Sequence, residues 1–262
     1  MNVPYYRLRH IYDNLSYPEL QLRACLSGPY EDRIGFNQWL GRAGCKIVED
    51  PLEADFVIFT GGADVSPSLY NEIELAETFS DPDRDAEDIL LYKLCQEHGI
   101  PMVGICRGSQ FLWVMKGGKL FQDVNNHNSG SHEILVFKEQ KKYRSSSVHH
   151  QMVYPNALNG MKLLANCTTS SIRKTPAYVS TSSNSDFEIW AFEKDAILGI
   201  QGHPEYPGYP HYSELCLRLI EEHIYDNPNT IYRGGKLRLS QPLLPDNIVK
   251  LPFNPSNDIG AA

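Results

Sequence analysis

A chain of 262 residues has room for one large α/β domain or one domain with a modest appendage, and its 42% hydrophobic and 21% charged content is that of an ordinary globular protein. The formal charge of −8 excludes a broad nucleic-acid or anionic-membrane surface, since both need clustered Lys and Arg. No apolar run approaches the roughly 20 residues of a membrane helix, and residues 1–12 lack the apolar stretch of a secretory signal, so a cytoplasmic chain with no nucleic-acid or membrane partner is expected.

After a polar, aromatic-rich lead-in, residues 20–26 are predicted as a first strand. Residues 32–43 carry Ile34, Phe36, Trp39 and Leu40 at helical spacing, with Gly44 as a stop. A short strand follows at 46–48. The continuous apolar run at 55–60 suits a strand buried on both faces of a parallel sheet. A helix is predicted over 84–98, with Ile89, Leu90, Leu94 and Cys95 on one side and Gly99 at its end, and Pro101 introduces a buried strand at 102–105. This alternation predicts a doubly wound α/β fold with a mostly parallel sheet flanked by helices. Beyond residue 130 the pattern turns to strands at 134–137, 163–166, 189–192 and 197–201, a small additional β region. Glu193-Lys194-Asp195 reads as a hairpin connection and 212–223 as a last helix. Past that helix the chain is rich in Pro and Asn and loses its periodicity, which divides it into a domain at 1–225 and a C-terminal tail at 226–262.

Six cysteines are scattered with no C-x-x-C pair, so neither a disulfide framework nor a zinc knuckle is expected, and most read as small buried hydrophobes. Cys106 differs by its neighbours. Gly104-Ile105-Cys106-Arg107-Gly108 has the form of a nucleophile elbow, between a predicted strand and a predicted helix. A turn this tight needs flanking residues without a β-carbon, and it lifts the nucleophile above the strand end where open α/β sheets bind ligands. The following helix aims free N–H groups and its positive end at the sulfur, which favours the reactive thiolate. The Arg107 N–H would face the oxyanion formed on attack at a carbonyl. On this segment alone, an elbow and a plain strand–helix turn with an inert cysteine stand about level.

Two further segments bear on the choice. In Gly202-His203-Pro204-Glu205, positions two apart in an extended chain face the same side, so His203 and Glu205 can share a cleft, the carboxylate fixing the imidazole. Gly61-Gly62 follows a strand end, where backbone N–H groups can complete an oxyanion hole. Each alone reads better as an ordinary loop or turn. His149 and His150, with His127 and His132, match no recognised zinc spacing, so no metal site is expected.

Taken in order, six stretches resemble class I glutamine amidotransferases, and most closely their γ-glutamyl-γ-aminobutyrate hydrolase branch. They are the segments 61–72, Arg84-Asp85 with Glu87, 101–110, 117–124, His149-His150-Gln151, and 199–205. The resemblance spans about residues 55–223. It implies a flavodoxin-like class I amidotransferase fold, a catalytic triad of Cys106, His203 and Glu205, and an oxyanion hole from the backbone of Gly61 or Gly62 and Arg107. It implies that Gln110 contacts the glutamyl head group and that the loop at His150 and Gln151 holds its α-carboxylate. The activity implied is hydrolysis of a γ-glutamyl amide, glutamine or a γ-glutamyl amine, through a cysteine thioester and without a cofactor. Two other readings stay open: a glutaminase subunit delivering ammonia to a synthetase or ligase partner, and a non-catalytic binding module of the same fold. A homodimer is a further open option. The chain departs from the family pattern at Gly202, where a bulky aromatic is usual, and at Ser109, where Met or His is usual. Its first 50 residues diverge and the stretch between 65 and 85 is short. These regions are expected to line the part of the cleft that selects the leaving amine.

Overall fold

The strand Phe56–Phe59 sends Phe56 and Ile58 to one side and Val57 and Phe59 to the other, and all four side chains are buried. A strand dry on both faces must be covered by helices on both. The computed structural model describes residues 20, 22–156, 158–181 and 185–225, so the predicted tail at 226–262 lies outside the described residues. In chain order the first elements are β1 (Arg23–Leu26), α1 (Tyr30–Arg42), β2 (Lys46–Ile47), β3 (Phe56–Phe59), α2 (Pro82–His98), β4 (Met102–Ile105) and α3 (Arg107–Met115). Then come β5 (Leu120–Phe121), β6 (Asp123–Val124), β7 (Gly130–Val136), β8 (Lys141–Ser147), β9 (Met152–Val153) and β10 (Met161–Cys167). The last are β11 (Arg173–Lys174), β12 (Val179–Ser180), β13 (Asp186–Phe192), β14 (Ile197–Ile200) and α4 (Pro210–Tyr225).

Among the described residues the main sheet has nine strands in the order β2-β1-β3-β4-β14-β13-β10-β7-β8. The run from β2 to β14 is parallel, in the 2-1-3-4-5 order of doubly wound flavodoxin-like sheets. From β14 to β8 the pairing is antiparallel. The strands expected beyond residue 130 (β7, β10, β13 and β14) thus join the main sheet, and the smaller β regions are instead a three-stranded sheet, β12-β11-β6, and the pair β5-β9. One core layer packs Ala24, Phe56, Ile58 and Ile105 against Trp39 and Leu40 of α1 and Leu215 and Ile220 of α4. The other packs Val57, Phe59 and Met102 against Tyr92 and Cys95 of α2 and Phe111 and Trp113 of α3. Each face of the parallel half is thus covered by two helices. Across the first layer, Trp39 Nε1 donates to Ser213 Oγ at 2.7 Å and ties α1 to α4. Among the described residues no helix is long and apolar enough to cross a membrane.

Two departures from the sequence-based expectation concern longer elements. Helix α2 begins at Pro82, because the Asp81 carboxylate accepts the Arg84 N–H at 3.1 Å and caps the helix. Its inner face is only partly the expected apolar one: Leu90 is 64% exposed while Arg84, Asp85 and Asp88 are buried. Strand β8 was not expected at all. Its sequence, Lys-Lys-Tyr-Arg-Ser-Ser-Ser, has one apolar residue, yet it pairs along its full length with β7 and buries Tyr143 and three serines.

Candidate active site

The elbow is built by close approach. A β-carbon at Gly104 would come within 2.4 Å of the Gly108 carbonyl oxygen, and one at Gly108 within 1.9 Å of the Phe59 carbonyl oxygen. Only glycine lets α3 begin this close to β3 and β4. Between them Cys106 has φ 53 and ψ −110, in the region that side chains rarely adopt. Its N–H donates to the Ile200 carbonyl at 2.9 Å, and its own carbonyl accepts from Gln110 N at 3.1 Å. Arg107 is the first residue of α3, so the helix offers its N–H no partner.

The second half of the site comes from β14. That strand lies parallel to β4 with Ile200 opposite Ile105, so both chains leave the sheet at the same edge. Ser146 of β8 clamps the exit, accepting the His203 N–H at 2.6 Å. His203 Nδ1 lies 2.6 Å from Glu205 Oε1, and the ring also hydrogen-bonds Cys106. Burial alone would hold the imidazole neutral, but the sulfur's charge and the hydrogen bonds to Cys106 and Glu205 outweigh it. The His203 pKa is raised well above the usual imidazole value. Tyr206 stacks on the ring at 4.4 Å between centroids. A β-carbon at Gly61 would fall 2.8 Å from His203 Cε1 and 3.8 Å from the Cys106 Cβ, so Gly61 sits against both side chains.

A cleft of about 220 Å3 opens beside the sulfur, lined among others by Gly62, Asp64, Cys106, Gln110, His150 and Gln151. The structure therefore brings Cys106, Arg107, Gly62, Gln110, His150 and Gln151 to one cavity. His203 and Gly61 stand beside Cys106, with Glu205 on His203, and all three lie outside the cavity lining. Gln110 Nε2 donates to the Gln151 carbonyl at 2.8 Å and so fixes the loop that follows β8. His150 Nε2 lies 3.1 Å from Asp64 Oδ2, and that hydrogen bond raises the His150 pKa against the effect of burial.

Below the elbow lies an ion network that sequence reasoning missed. Arg107 is paired to Asp85 at 2.5 Å and more closely to Asp88, and Arg84 bonds Asp88 at 3.1 Å. Arg84 also donates to Ser27 Oγ and Thr60 Oγ1, both at 3.0 Å. The signal was present as charges at positions 84, 85 and 88, spaced to share a helical face. Asp64 and Ser146 were likewise missed, and only the fold brings them to the site. Gly202 corrects an expectation: its missing side chain faces Ser145 Oγ and Tyr212 OH, and it lies outside the cavity lining. The neighbouring hydroxyls take up the space that a side chain at this position would need. Ser109 is also fully buried rather than displayed at the cleft mouth.

Comparison with known proteins agrees with this architecture. The glutamine amidotransferase-like protein YvdE of Lactococcus lactis is 30% identical over 171 residues, 58% of this chain and 66% of that protein, so the match spans just under two thirds of the relative's length. A candidate glutamine amidotransferase of Schizosaccharomyces pombe is 30% identical over 68% of this chain and 74% of its own. The crystal structure of a candidate GMP synthase subunit from Thermoplasma acidophilum shares the fold, with a TM-score of 0.53 at 15% identity over 78% of this chain and 94% of that one. The family model for Peptidase C26 matches residues 48–205, from just after β2 to Glu205, and the chain belongs to that class I glutamine amidotransferase-like family.

Proposed function

We propose that the protein hydrolyses γ-glutamyl amide bonds through a thioester on Cys106. The observation that carries this reading is the alignment of a cysteine at a strained elbow with an imidazole that bonds both its sulfur and Glu205. The thiolate attacks the γ-carbonyl carbon, and the negative charge moves to the carbonyl oxygen. Backbone N–H groups of Arg107 and the Gly61-Gly62 loop receive that oxyanion, each such donor being worth about 10²–10³ in rate. The tetrahedral adduct collapses, the C–N bond breaks, and the His203 imidazolium gives its proton to the departing amine or ammonia. Water then adds to the thioester, losing a proton to neutral His203, and glutamate leaves as the thiolate re-forms. Glu205 holds the ring orientation and favours its charged form in the ion pair.

In this reading the glutamyl head group occupies the cleft, whose volume of about 220 Å3 suits an amino acid and lies below the roughly 300–1,000 Å3 of drug-sized sites. Gln110 and the loop at His150 and Gln151 hold its polar end, the loop's backbone taking the α-carboxylate. The catalytic unit is the domain at 1–225. The test is intact-protein mass spectrometry after incubation with glutamine and with a panel of γ-glutamyl amines. A γ-glutamyl adduct on Cys106 is expected from at least one substituted amide, and Cys106→Ala should form none while keeping its fold. Turnover surviving in Cys106→Ala sinks the proposal. An adduct from glutamine alone would replace it with ammonia delivery to a synthetase or ligase.

A further inference from the structure

Behind the cleft wall at residues 148–151 lies a second buried cluster that the thioester chemistry does not use. It gathers His127 from the loop before β7, His132 of β7, Cys167 at the end of β10, and Asp186 and Glu188 of β13. The metal-ligating atoms of His127, His132 and Glu188 lie within 4.8 Å of one another, as do those of His127, Cys167 and Asp186. Glu188 Oε1 is 2.9 Å from His132 Nε2 and 3.1 Å from Cys167 Sγ.

The hydrogen bonding leaves these atoms short of partners. His127 Nδ1, both ring nitrogens of His132 and Glu188 Oε2 are buried without one. His132 Nε2 is near Glu188 Oε1 but not aligned for a hydrogen bond. Buried polar atoms rarely stay unpaired, and here three residues whose ligand atoms lie within 4.8 Å of one another carry such atoms. Asp186 is different, because its lone pairs are taken. Oδ1 accepts from Arg173 Nε and Nη2 at 3.0 and 2.7 Å, and Oδ2 from the N–H groups of Thr169 and Ser170 at 3.1 and 2.9 Å. Oδ2 also lies 3.2 Å from His127 Nε2. With Nε2 held by a carboxylate, His127 is left to present Nδ1 to the cluster, which is how outer carboxylates orient metal-bound imidazoles.

We infer that His127 Nδ1, His132, the Glu188 carboxylate and the Cys167 sulfur form a four-coordinate site for a zinc-class divalent cation, with Asp186 positioning His127. A mixed nitrogen, oxygen and sulfur set of four suits Zn2+. The charges close: a dication balances the Glu188 carboxylate and a Cys167 thiolate, and Asp186 is balanced by Arg173. Binding displaces the thiol proton of Cys167 to solvent. Four protein ligands leave no open position, so the ion is structural. It would join β7, β10 and β13 directly behind the substrate loop, since the His149 ring lies 4.7 Å from that of His127 and its Nδ1 bonds the Gln151 carbonyl at 2.9 Å. The ligands come from four separated segments, which is why no zinc spacing is visible along the chain.

The test uses untagged full-length protein, stripped with a chelator and titrated with Co2+ and then Zn2+. One equivalent of Co2+ per chain is expected, with the visible bands of tetrahedral cobalt and a near-ultraviolet thiolate charge-transfer band, both erased by Zn2+. The bound form should melt at higher temperature. Cys106→Ala should bind as wild type, which separates this site from the nucleophile; His127→Gln should lose the uptake, and Cys167→Ser should lose the thiolate band. Absence of stoichiometric uptake by the wild type overturns the inference. So does uptake abolished by Cys106→Ala, or a thiolate band that persists in Cys167→Ser.

Discussion

Cys106 holds a backbone conformation that costs a residue with a β-carbon about 1–3 kcal/mol, and the surrounding hydrogen bonds to Ile200 and Gln110 hold it there. Replacing it therefore separates strain from chemistry. Cys106→Gly should exceed Cys106→Ala in stability by about 1 kcal/mol, read as the difference in denaturant midpoint, while both lack turnover. Equal stabilities would mean that the elbow is relaxed. At His203 the expectation concerns pH. Its pKa is raised by the sulfur and by Glu205 against burial, so the imidazolium needed to protonate the leaving group persists into alkaline solution and is lost as pH rises through that value. Glu205→Gln removes one of the raising influences. The alkaline limb of kcat/KM should then move to lower pH, with a loss of about 10²–10⁴ in rate; a limb that stays in place argues against the assigned role. His150 gives a matching prediction for stability. Its pKa is raised through Asp64, so the pair's stabilisation is complete below the unfolded value of about 6.5 and is lost as pH rises through the folded one. Half-exposed as it is, the pair is screened and contributes about 0.5 kcal/mol. Thermal melts should show His150→Gln destabilised at pH 6 and equal to wild type at pH 9.

Among the elements, β3 and β4 were legible because a strand covered on both faces writes itself as an unbroken apolar run. The hairpin at Glu193-Lys194-Asp195 was legible as well, and it forms a 3₁₀ turn joining β13 to β14. Helix α2 was read only partly right: Cys95 and Ile89 do face the core, but Leu90 is exposed and Arg84, Asp85 and Asp88 are buried instead, since apolar periodicity takes no account of a charged face neutralised by another element. Here Asp85 and Asp88 turn inward because Arg107 and Arg84 meet them. Removing a shared carboxylate leaves two buried guanidinium groups with too little opposing charge. Asp88→Ala should accordingly cost about 3–5 kcal/mol, measured as a fall in unfolding midpoint. A change below about 1 kcal/mol would mean that the network is well solvated. Strand β8 escaped detection for the opposite reason: it is an edge strand whose buried positions are mostly serine. Those hydroxyls serve the site, Ser146 by holding His203 and Ser145 by filling the space beside Gly202.

At the scale of the molecule, Cys106, the His203-Pro204-Glu205 stretch and the cleft loop were legible as motifs, but their meeting depends on the sheet order. Cys106 and His203 lie far apart in sequence and meet because β14 runs parallel to β4. Asp64 and His150, in contact across the cleft, carried no shared signal, and neither did the cluster around His127 and Glu188. Side chains drawn from separate strands leave no spacing to read. The position of β14 has a further consequence for the order of synthesis. It is an interior strand, filling the place between β4 and β13, and it is the last strand of the described residues to leave the ribosome. Nearly a hundred residues follow Cys106 before His203 is made, about 5–20 seconds of translation. Throughout that interval the nascent chain carries Cys106 without its histidine partner, and the insertion of one late strand both closes the sheet and brings His203 beside the cysteine.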